Sequence, residues 1–256
     1  MIIANLATYP PRRENLLPVV QAIAPQVDRL NVVLNQYEAE LPELAGIANV
    51  NQIIPHEDTK DVGKFYPDVS DADFVFMIDD DLIYPPEFVA QSVASLSALG
   101  PSGYMGGYHA STYYVPTFSL LPKRLIKWLR YSELRIANYR KKHRISEAVK
   151  QPVVVDQIAT NAAIMRGADF PSYDYMASSQ KFVDVRLAKW CFENGIAPVA
   201  LPKVAHWFGQ VKFEETIFHG FTRKNHQHVS DEIMTFAFKV PGSGQIVATH
   251  ADTEGS

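Results

Sequence analysis

Three consecutive aspartates, Asp79, Asp80 and Asp81, directly follow the apolar run from Phe74 to Ile78. A short, continuously apolar run is typical of a buried strand, and open α/β sheets form their ligand crevices at the carboxyl ends of such strands. Because side chains alternate along an extended backbone, we expect Asp79 and Asp81 on one side and Asp80 on the other. Carboxylate oxygens favour hard cations, so we predict that Asp79 and Asp81 bind Mn²⁺ or Mg²⁺.

A simpler interpretation of the same carboxylates stays open. They could complement the dipole of the helix predicted to begin near Pro86, since acidic side chains are favourable at a helix N-terminus. One aspartate would be sufficient for that role, and adjacent like charges repel each other unless a cation lies among them. The metal site is therefore the preferred interpretation.

The elements that must position these carboxylates alternate between strands and helices. Apolar runs predict strands, and helical patterns predict helices, in the order strand 2–7, helix 11–23, strands 30–34, 49–54 and 74–78, and helix 86–99. Continuously apolar strands indicate burial on both faces. We therefore predict an α/β fold, Rossmann-like, with a mostly parallel central sheet flanked by helices.

The second half of the chain has a less regular pattern. It predicts a hairpin at 103–115, a basic helical stretch to about residue 144, strands at 153–155 and 162–165, and a helix at 184–194. The residues from Gly242 onward are polar and are predicted to form a tail.

The Asp79-x-Asp81 pattern resembles the Asp-x-Asp motif of GT-A glycosyltransferases of the bacterial family 2 type, which ends a buried strand and holds the metal on a nucleotide-sugar. Three further segments resemble that family: Leu6-Ala-Thr8-Tyr9-Pro10-Pro11-Arg12-Arg13, Asp61-Val-Gly63-Lys64 and Val183-Asp184-Val185-Arg186-Leu187-Ala188. The resemblance covers roughly residues 1–210. It departs from the family at Val183, where an acidic residue usually precedes the catalytic base.

The resemblance implies a single GT-A domain in two halves, with residues 1–110 binding the donor, 111–240 binding the acceptor and carrying the base, and 241–256 forming the polar tail. It also implies a metal-dependent glycosyltransferase that uses a nucleoside-diphosphate sugar, with a UDP-sugar favoured. The acceptor would be the hydroxyl of a glycan or of a lipid-linked molecule. An inverting reaction in surface polysaccharide biosynthesis is expected, with a retaining reaction as the alternative.

Individual residues receive roles from the same resemblance. The first loop and the segment after the third strand would bind the nucleotide and diphosphate, together with two of the aspartates: Thr8, Tyr9, Arg12, Asp61, Lys64, Asp79 and Asp80. Asp184 would be the general base, and His206 would complete the metal shell with Asp79 and Asp81. Arg13 is an alternative to Arg12 as a phosphate ligand.

Other roles for some of these residues remain open. A helix N-cap is the alternative for Asp184, and a hydrogen-bonded core histidine is the alternative for His206. The segment 155–166 resembles the stretch that joins the two halves, and its polar Asp156, Thr160 and Asn161 would contact sugar hydroxyls or form a structural turn.

Composition excludes several classes of protein. With 256 residues, 47% hydrophobic and 20% charged, the chain is an ordinary globular sequence and neither disordered nor a coiled coil. Its single cysteine, Cys191, cannot form an internal disulfide, which favours a reducing compartment. The N-terminus has no basic segment before its apolar stretch, and no run approaches the roughly 18 apolar residues of a membrane span. We expect a cytoplasmic protein that does not bind nucleic acid.

Charge is distributed unevenly along the chain. The whole sequence carries −4, whereas 122–150 holds ten basic and two acidic residues, a local +8. Basic and apolar side chains interleave at helical spacing within 123–130. This pattern predicts peripheral contact with the inner face of an anionic membrane or with a lipid-diphosphate acceptor. A solvated surface helix or a mobile lid is the alternative.

Three other functions compete with glycosyl transfer. A sugar-phosphate nucleotidyltransferase would need a glycine-rich phosphate loop after the first strand, and the loop at 8–13 has no glycine. A phosphatase of the haloacid dehalogenase type normally has its Asp-x-Asp after the first strand rather than this late. A non-catalytic carbohydrate-binding or interaction module is the third alternative.

Overall fold

The structure is a computed structural model that describes residues 1–210 and 226–247. Its strands are β1 (Ile2–Thr8), β2 (Arg29–Leu34), β3 (Val50–Ile53), β4 (Phe74–Ile78), β5 (Leu82–Ile83), β6 (Tyr104–Gly107), β7 (Ala110–Tyr113), β8 (Arg140–His143), β9 (Val153–Val154), β10 (Gln157–Ile158), β11 (Ala162–Arg166), β12 (Ala197–Ala200) and β13 (Gly209–Gln210). Its α-helices are α1 (Arg13–Ile23), α2 (Phe88–Leu99), α3 (Pro122–Leu129), α4 (Tyr173–Met176), α5 (Val183–Glu193) and α6 (Gln227–Phe236).

The main sheet contains eight strands in the order β3-β2-β1-β4-β11-β6-β12-β9. The first four are parallel to one another, and β6 is parallel to β12. Strand β11 runs antiparallel to both of its neighbours, and β9 runs antiparallel to β12. The predicted α/β class with a mostly parallel sheet is confirmed, and the continuous apolar strands explain it because both faces of the sheet are covered.

Alternate residues of β4 show how the two faces are buried. Phe76 and Ile78 belong to the core cluster that contains the apolar residues of α1 and α2. Met77, between them, belongs to the cluster that contains Leu187 and Cys191 of α5. The sheet therefore lies between α1 and α2 on one side and α5 on the other.

Two predictions for the second half of the chain are wrong. The predicted hairpin at 103–115 does not form, because β6 pairs with β11 and β12 of the main sheet, whereas β7 pairs with β8 and β10 in a separate three-stranded sheet. The predicted basic helix ends at Leu129, far short of residue 144, and is followed by a 3-10 helix (Glu133–Asn138) and by β8. Strand β8 brings part of the basic segment onto the small sheet.

The residues after α6 are held against the main sheet. The backbone N–H of Gly244 donates to the carbonyl of Val154 at 2.8 Å, and that of Val247 donates to the carbonyl of Pro152 at 2.9 Å. The predicted polar tail is therefore anchored over 242–247, and its remainder lies outside the described residues. None of the helices in the described part of the chain is long and apolar enough to span a membrane.

Candidate functional site

A cleft of about 550 Å³ opens at the carboxyl ends of β1, β2 and β4. Parallel strands direct their carboxyl ends to the same edge, so the residues that follow them meet there. The cleft wall contains nine of the ten residues that the sequence predicted for the site: Thr8, Tyr9, Arg12, Asp61, Lys64, Asp79, Asp80, Asp81 and Asp184. The tenth, His206, is not among them.

The three aspartates have different partners within this cleft. Asp80 is buried and faces the loop after β1, where it accepts a hydrogen bond from Thr8 Oγ1 at 2.7 Å and pairs with the Arg12 guanidinium. Asp79 pairs with Lys64. The carboxylate of Asp81 lies 3.7 Å from Arg12 Nη1 and keeps 32% of its side chain exposed. The first loop is therefore bonded to Asp80, whereas Asp79 and Asp81 lie nearer the open part of the cleft.

A buried tyrosine fixes the turn that carries these carboxylates. The hydroxyl of Tyr84 accepts a hydrogen bond from the backbone N–H of Asp79 at 2.8 Å and donates to the carbonyl of Asn161 at 2.6 Å. This links the end of β4 to the turn before β11. The helix-dipole interpretation of the aspartates is wrong, because α2 begins at Phe88 with no acidic residue in its first turn.

The charges of the cleft favour a bound cation. Burial, and next the neighbouring charge of Asp79, raise the pKa of Asp81 to about 6. Burial also raises the pKa of Asp80, although Arg12 and Thr8 act in the opposite direction. Two incompletely neutralised carboxylates, Asp79 and Asp81, thus share one cleft, and a divalent cation between them would offset their repulsion.

The donor set fits a hard divalent cation that shares its ligands with a substrate. Such ions commonly bind one or two carboxylates and take their other ligands from water and substrate phosphates. Within residues 1–210 and 226–247, no three histidine, cysteine or acidic side chains form a complete metal site. His206 does not supply a third ligand in this structure, since it is exposed, has a positive φ of 55° and donates its backbone N–H to Ser146.

Lys64 is a buried residue that connects Asp79 with the turn at Thr160. Its ammonium pairs with Asp79 and donates to the carbonyl and the hydroxyl of Thr160, at 3.0 and 3.4 Å. Burial is the largest single influence and opposes the charge of Lys64, but the nearby carboxylates, first Asp79 and then Asp184 and Asp61, together raise its pKa. Lys64, which the family resemblance assigns to the nucleotide and diphosphate, is held among protein groups at the cleft floor.

Asp184 lies in the first turn of α5 and points at the turn before β11. Its Oδ1 accepts hydrogen bonds from the backbone N–H of Thr160 at 2.8 Å and from the Thr160 hydroxyl at 2.9 Å. The N-cap alternative for Asp184 is wrong, since Phe182 occupies that position and no side chain caps the helix. One threonine therefore orients Asp184 and also contacts Lys64.

Asp61 and Gly63 shape the wall beside Asp184. Both carboxylate oxygens of Asp61 accept from the backbone N–H of Lys181, at 2.8 and 3.0 Å, and hold Lys181 at a φ of 73°. A Cβ at Gly63 would lie 2.8 Å from Thr59 Oγ1 and 3.1 Å from Ala7 Cβ. The close packing of this segment against β1 thus requires glycine.

Several residues of the cleft were not predicted. His109 lines the cleft, and burial lowers its pKa, which keeps the ring neutral near pH 7. Asn35 and Gln36 follow β2 and donate to Asp58 at 2.8 and 3.0 Å. The strand-end rule that identified Asp79 would also have identified Asn35, whereas no local pattern marks His109. Arg13 pairs with Glu43 on the surface and is not a cleft residue.

Solved structures resemble this chain over most of its length. Glucosyl-3-phosphoglycerate synthase from Mycobacterium tuberculosis, in complex with Mn²⁺, UDP-glucose and phosphoglyceric acid, superposes with a TM-score of 0.53 at 14% identity, covering 91% of this chain and 80% of that one. The same enzyme with Mg²⁺ and UDP gives 0.52 at 16% identity, covering 91% and 79%. A mycobacterial protein gives 0.51 at 14% identity, covering 91% and 75%.

The chain has the GT-A fold. This agrees with the fold that the resemblance of Asp79-x-Asp81 and its companion segments implies. At these identities the likeness concerns the fold. The sequence itself matches no model of a known protein family and no curated protein.

A second, smaller cavity of the GT-A domain adjoins the cleft. Its volume is about 170 Å³, and it lies between β7 and β8 of the small sheet, the start of α5, and α6. The two cavities share His109, Ala159, Lys181 and Asp184. Asp184 therefore stands in a wall common to both spaces.

Proposed function

We propose that this protein is a glycosyltransferase that moves a sugar from a nucleoside diphosphate to an acceptor hydroxyl with the help of Mn²⁺ or Mg²⁺. The observation that carries the proposal is the single cleft that combines two metal-type carboxylates, Asp79 and Asp81, with a separately oriented carboxylate, Asp184. Its volume of about 550 Å³ lies within the usual range for a small-molecule site.

The solved relatives support the choice of donor and metal. Glucosyl-3-phosphoglycerate synthase was crystallised with Mn²⁺ and UDP-glucose in one case and with Mg²⁺ and UDP in another. We infer a UDP-sugar donor for this chain. Thr8, Tyr9 and Arg12 border the cleft on the side of the first loop, where the nucleotide is proposed to bind.

In the proposed reaction, one end of the cleft stabilises the leaving diphosphate and the other end activates the acceptor hydroxyl. A divalent cation held by Asp79 and Asp81 would neutralise the charge on the departing diphosphate. Asp184 takes the proton of the acceptor hydroxyl while its oxygen bonds to the anomeric carbon and the bond from that carbon to the diphosphate breaks. Because attack and departure occupy opposite faces of the sugar, the configuration is inverted. Thr160 holds Asp184 in position by donating from both its N–H and its hydroxyl.

A finer part of the proposal concerns the membrane. Helix α3 has no buried residue, and Leu121, Trp128 and Leu129 are 60%, 43% and 66% exposed. Lys123 and Lys127 lie on the same short helix. Exposed apolar side chains among basic ones favour an anionic lipid surface, which is compatible with a glycan or lipid-linked acceptor in surface polysaccharide biosynthesis.

Nucleotide binding is the first test. UDP with Mn²⁺ is expected to raise the melting temperature, since a ligand at a hundredfold excess over its Kd stabilises a protein by about 2.7 kcal/mol. The Asp81→Asn variant should lose this shift, whereas Asp174→Asn, an exposed aspartate on α4, should retain it. Equal shifts in Asp81→Asn and the parent would refute the metal site.

Turnover separates the competing functions. Release of UDP that depends on an added acceptor supports a transferase. Metal-dependent UDP binding with no release under any acceptor would indicate the non-catalytic binding module. Conversion of a nucleoside triphosphate and a sugar 1-phosphate would indicate the nucleotidyltransferase.

Vesicle flotation tests the membrane proposal. Reversal of charge at Lys123, Lys127 and Arg130 to glutamate should abolish binding to vesicles of anionic lipid, with neutral vesicles as the baseline. Reversal at three exposed lysines elsewhere, Lys141, Lys150 and Lys239, is the matched control. If the α3 triple variant and the control triple variant bind anionic vesicles equally, the membrane contact does not involve α3.

A further inference from the structure

The smaller cavity has the opposite charge to the cleft beside it. Arg140 and Lys142 of β8 and Lys181 of the turn before α5 line it, and Asp184 is the one carboxylate among its described lining residues. The Oδ1 of Asp184 is already engaged by Thr160. Among the described lining residues, basic side chains therefore outnumber acidic ones.

Strand geometry explains why two of these cations face the same space. Residues at alternate positions of a strand point to the same side, so Arg140 and Lys142 face the cavity while Lys141, between them, is exposed on the other side. Burial, and next the charges of Arg140 and Arg144, lower the pKa of Lys142. The positive charges of Arg140 and Lys142 are thus close together at partly buried positions of the cavity wall.

Arg140 has unused hydrogen-bonding capacity. Its Nε is buried and has no hydrogen-bond partner among the described residues. No described carboxylate lies within ion-pair distance of its guanidinium. A buried guanidinium donor without an acceptor is costly, and arginine binds phosphate and carboxylate groups through paired donors. Although its guanidinium also hydrogen-bonds the side chain of Tyr113, Arg140 is therefore suited to bind an anionic group that enters the cavity.

We propose that the smaller cavity binds a phosphate or carboxylate group of the acceptor, and that Arg140, Lys142 and Lys181 recognise it. This inference rests on the proposed glycosyltransferase function, because it assigns the acceptor to the side of Asp184 that faces away from the donor. The anionic group anchors the acceptor so that its hydroxyl reaches Asp184 in the shared wall.

The size of the cavity limits the acceptor unit. Its volume of about 170 Å³ is below the usual range of roughly 300–1,000 Å³ for drug-sized ligands. The unit that enters is therefore small, on the scale of a hydroxy acid, a triose phosphate or one charged sugar residue. A longer glycan or lipid-linked acceptor would place only its terminal charged unit there.

Binding of inorganic phosphate in the presence of saturating UDP and Mg²⁺ tests this assignment, because UDP then blocks the diphosphate site in the cleft. We expect the double variant Arg140→Gln/Lys142→Gln to weaken phosphate binding by about tenfold or more, as the loss of charge-assisted hydrogen bonds predicts. The control Lys141→Gln removes the same charge from the same strand on its exposed side. It should stay within about twofold of the parent.

Three further probes show whether the cavity prefers a phosphate or a carboxylate group. Glucose 6-phosphate and glucuronate distinguish phosphate from carboxylate, and methyl glucoside is the neutral comparison. At least one anionic probe should bind tighter than methyl glucoside and lose that advantage in the double variant. Equal binding of methyl glucoside, or equal weakening by Lys141→Gln, would overturn the proposal.

The two proposals fail in different ways. If UDP and Mg²⁺ produce no thermal shift but phosphate binds in a manner that depends on Arg140 and Lys142, the anion site stands and the glycosyltransferase function falls. If UDP binds normally and phosphate merely competes with it, the anion site is refuted and the donor site stands. Melting curves of the free variants show whether each is folded.

Discussion

The two cavities on either side of Asp184 are lined by side chains of opposite charge. In the cleft, carboxylates are in excess and two cations, Lys64 and Arg12, already lie against them. In the smaller cavity, cations are in excess and Arg140 has no described carboxylate partner. A site that is short of positive charge suits a metal ion with a diphosphate, whereas a site that is short of negative charge suits an anionic acceptor. The contrast teaches that the proposed donor and acceptor sites differ in charge although both adjoin the proposed base, Asp184.

The largest expected effect is at the boundary between the cavities. Asp184→Asn keeps the shape of the side chain but removes the proton acceptor, and we expect the transfer rate to fall by about 10²- to 10⁴-fold. Affinity for UDP with Mn²⁺ should not change. Steady-state kinetics and a UDP titration measure the two effects, and Asp174→Asn is the control. Full activity in Asp184→Asn would remove it as the base.

Removal of a cation should affect the two cavities very differently. Lys64→Met leaves Asp79 without its buried partner, and loss of one member of a buried pair usually costs about 3–5 kcal/mol. Because Asp79 retains 31% exposure, we expect a cost nearer 2–3 kcal/mol. Urea unfolding of the metal-free protein measures it.

Arg140→Gln is the counterpart in the smaller cavity. It removes a cation that has no described ion-pair partner, so the free energy of unfolding should change by less than about 1 kcal/mol, or increase. If Arg140→Gln destabilises the protein as much as Lys64→Met, then Arg140 is a structural cation and the contrast between the cavities is lost.

A smaller effect is expected at Thr160, which orients the proposed base Asp184. Thr160→Val removes one of the two hydrogen bonds to Asp184 and retains the side-chain shape and the backbone N–H. The loss of a hydrogen bond to a charged group, about 1.5–3 kcal/mol at most, predicts a fall in kcat of roughly ten- to a hundredfold. The KM for the donor should stay constant, and Thr160→Ser should recover most of the rate. An unchanged kcat would mean that the N–H alone holds Asp184.

The last prediction concerns the pH dependence of stability that Asp81 contributes. Its pKa is raised from 3.8 to about 6 in the folded protein, so the folded state retains this proton longer than the unfolded state. Stability from this group is therefore greatest below about pH 4 and is lost as the pH rises through about 6. Asp81→Asn should be more stable than the metal-free parent above pH 6, and the difference should vanish at pH 4. A constant difference across this range would contradict the raised pKa.

The sequence predicted best those features that are determined locally. The strands that end at Thr8, Leu34 and Ile78 are short and mainly apolar, and the position of Asp79 follows from where the last of these runs stops. The resemblance to GT-A enzymes added Asp61 and Asp184. Nine of the ten predicted residues consequently meet in one cleft.

Features that depend on distant pairing could not be predicted in the same way. The chain from Tyr104 to Tyr113 looks like a hairpin because its two apolar segments are adjacent, but their partners lie more than 25 residues away in β8, β10, β11 and β12. The burial of Lys64 depends on Thr160, and the position of His109 depends on its contacts with Ala159 and Asn161. No short pattern encodes these contacts.

The attachment of Asp184 has a consequence for redesign. Its orientation comes from the turn at Thr160, next to β11 of the main sheet, whereas Arg140 and Lys142 belong to the small sheet. The residues proposed to recognise the acceptor thus belong to the small sheet, whereas the turn that orients the proposed base, Asp184, adjoins the main sheet. Changes of specificity could accumulate on β8 without disturbing the chemistry, which makes this strand the natural place to begin engineering a new acceptor.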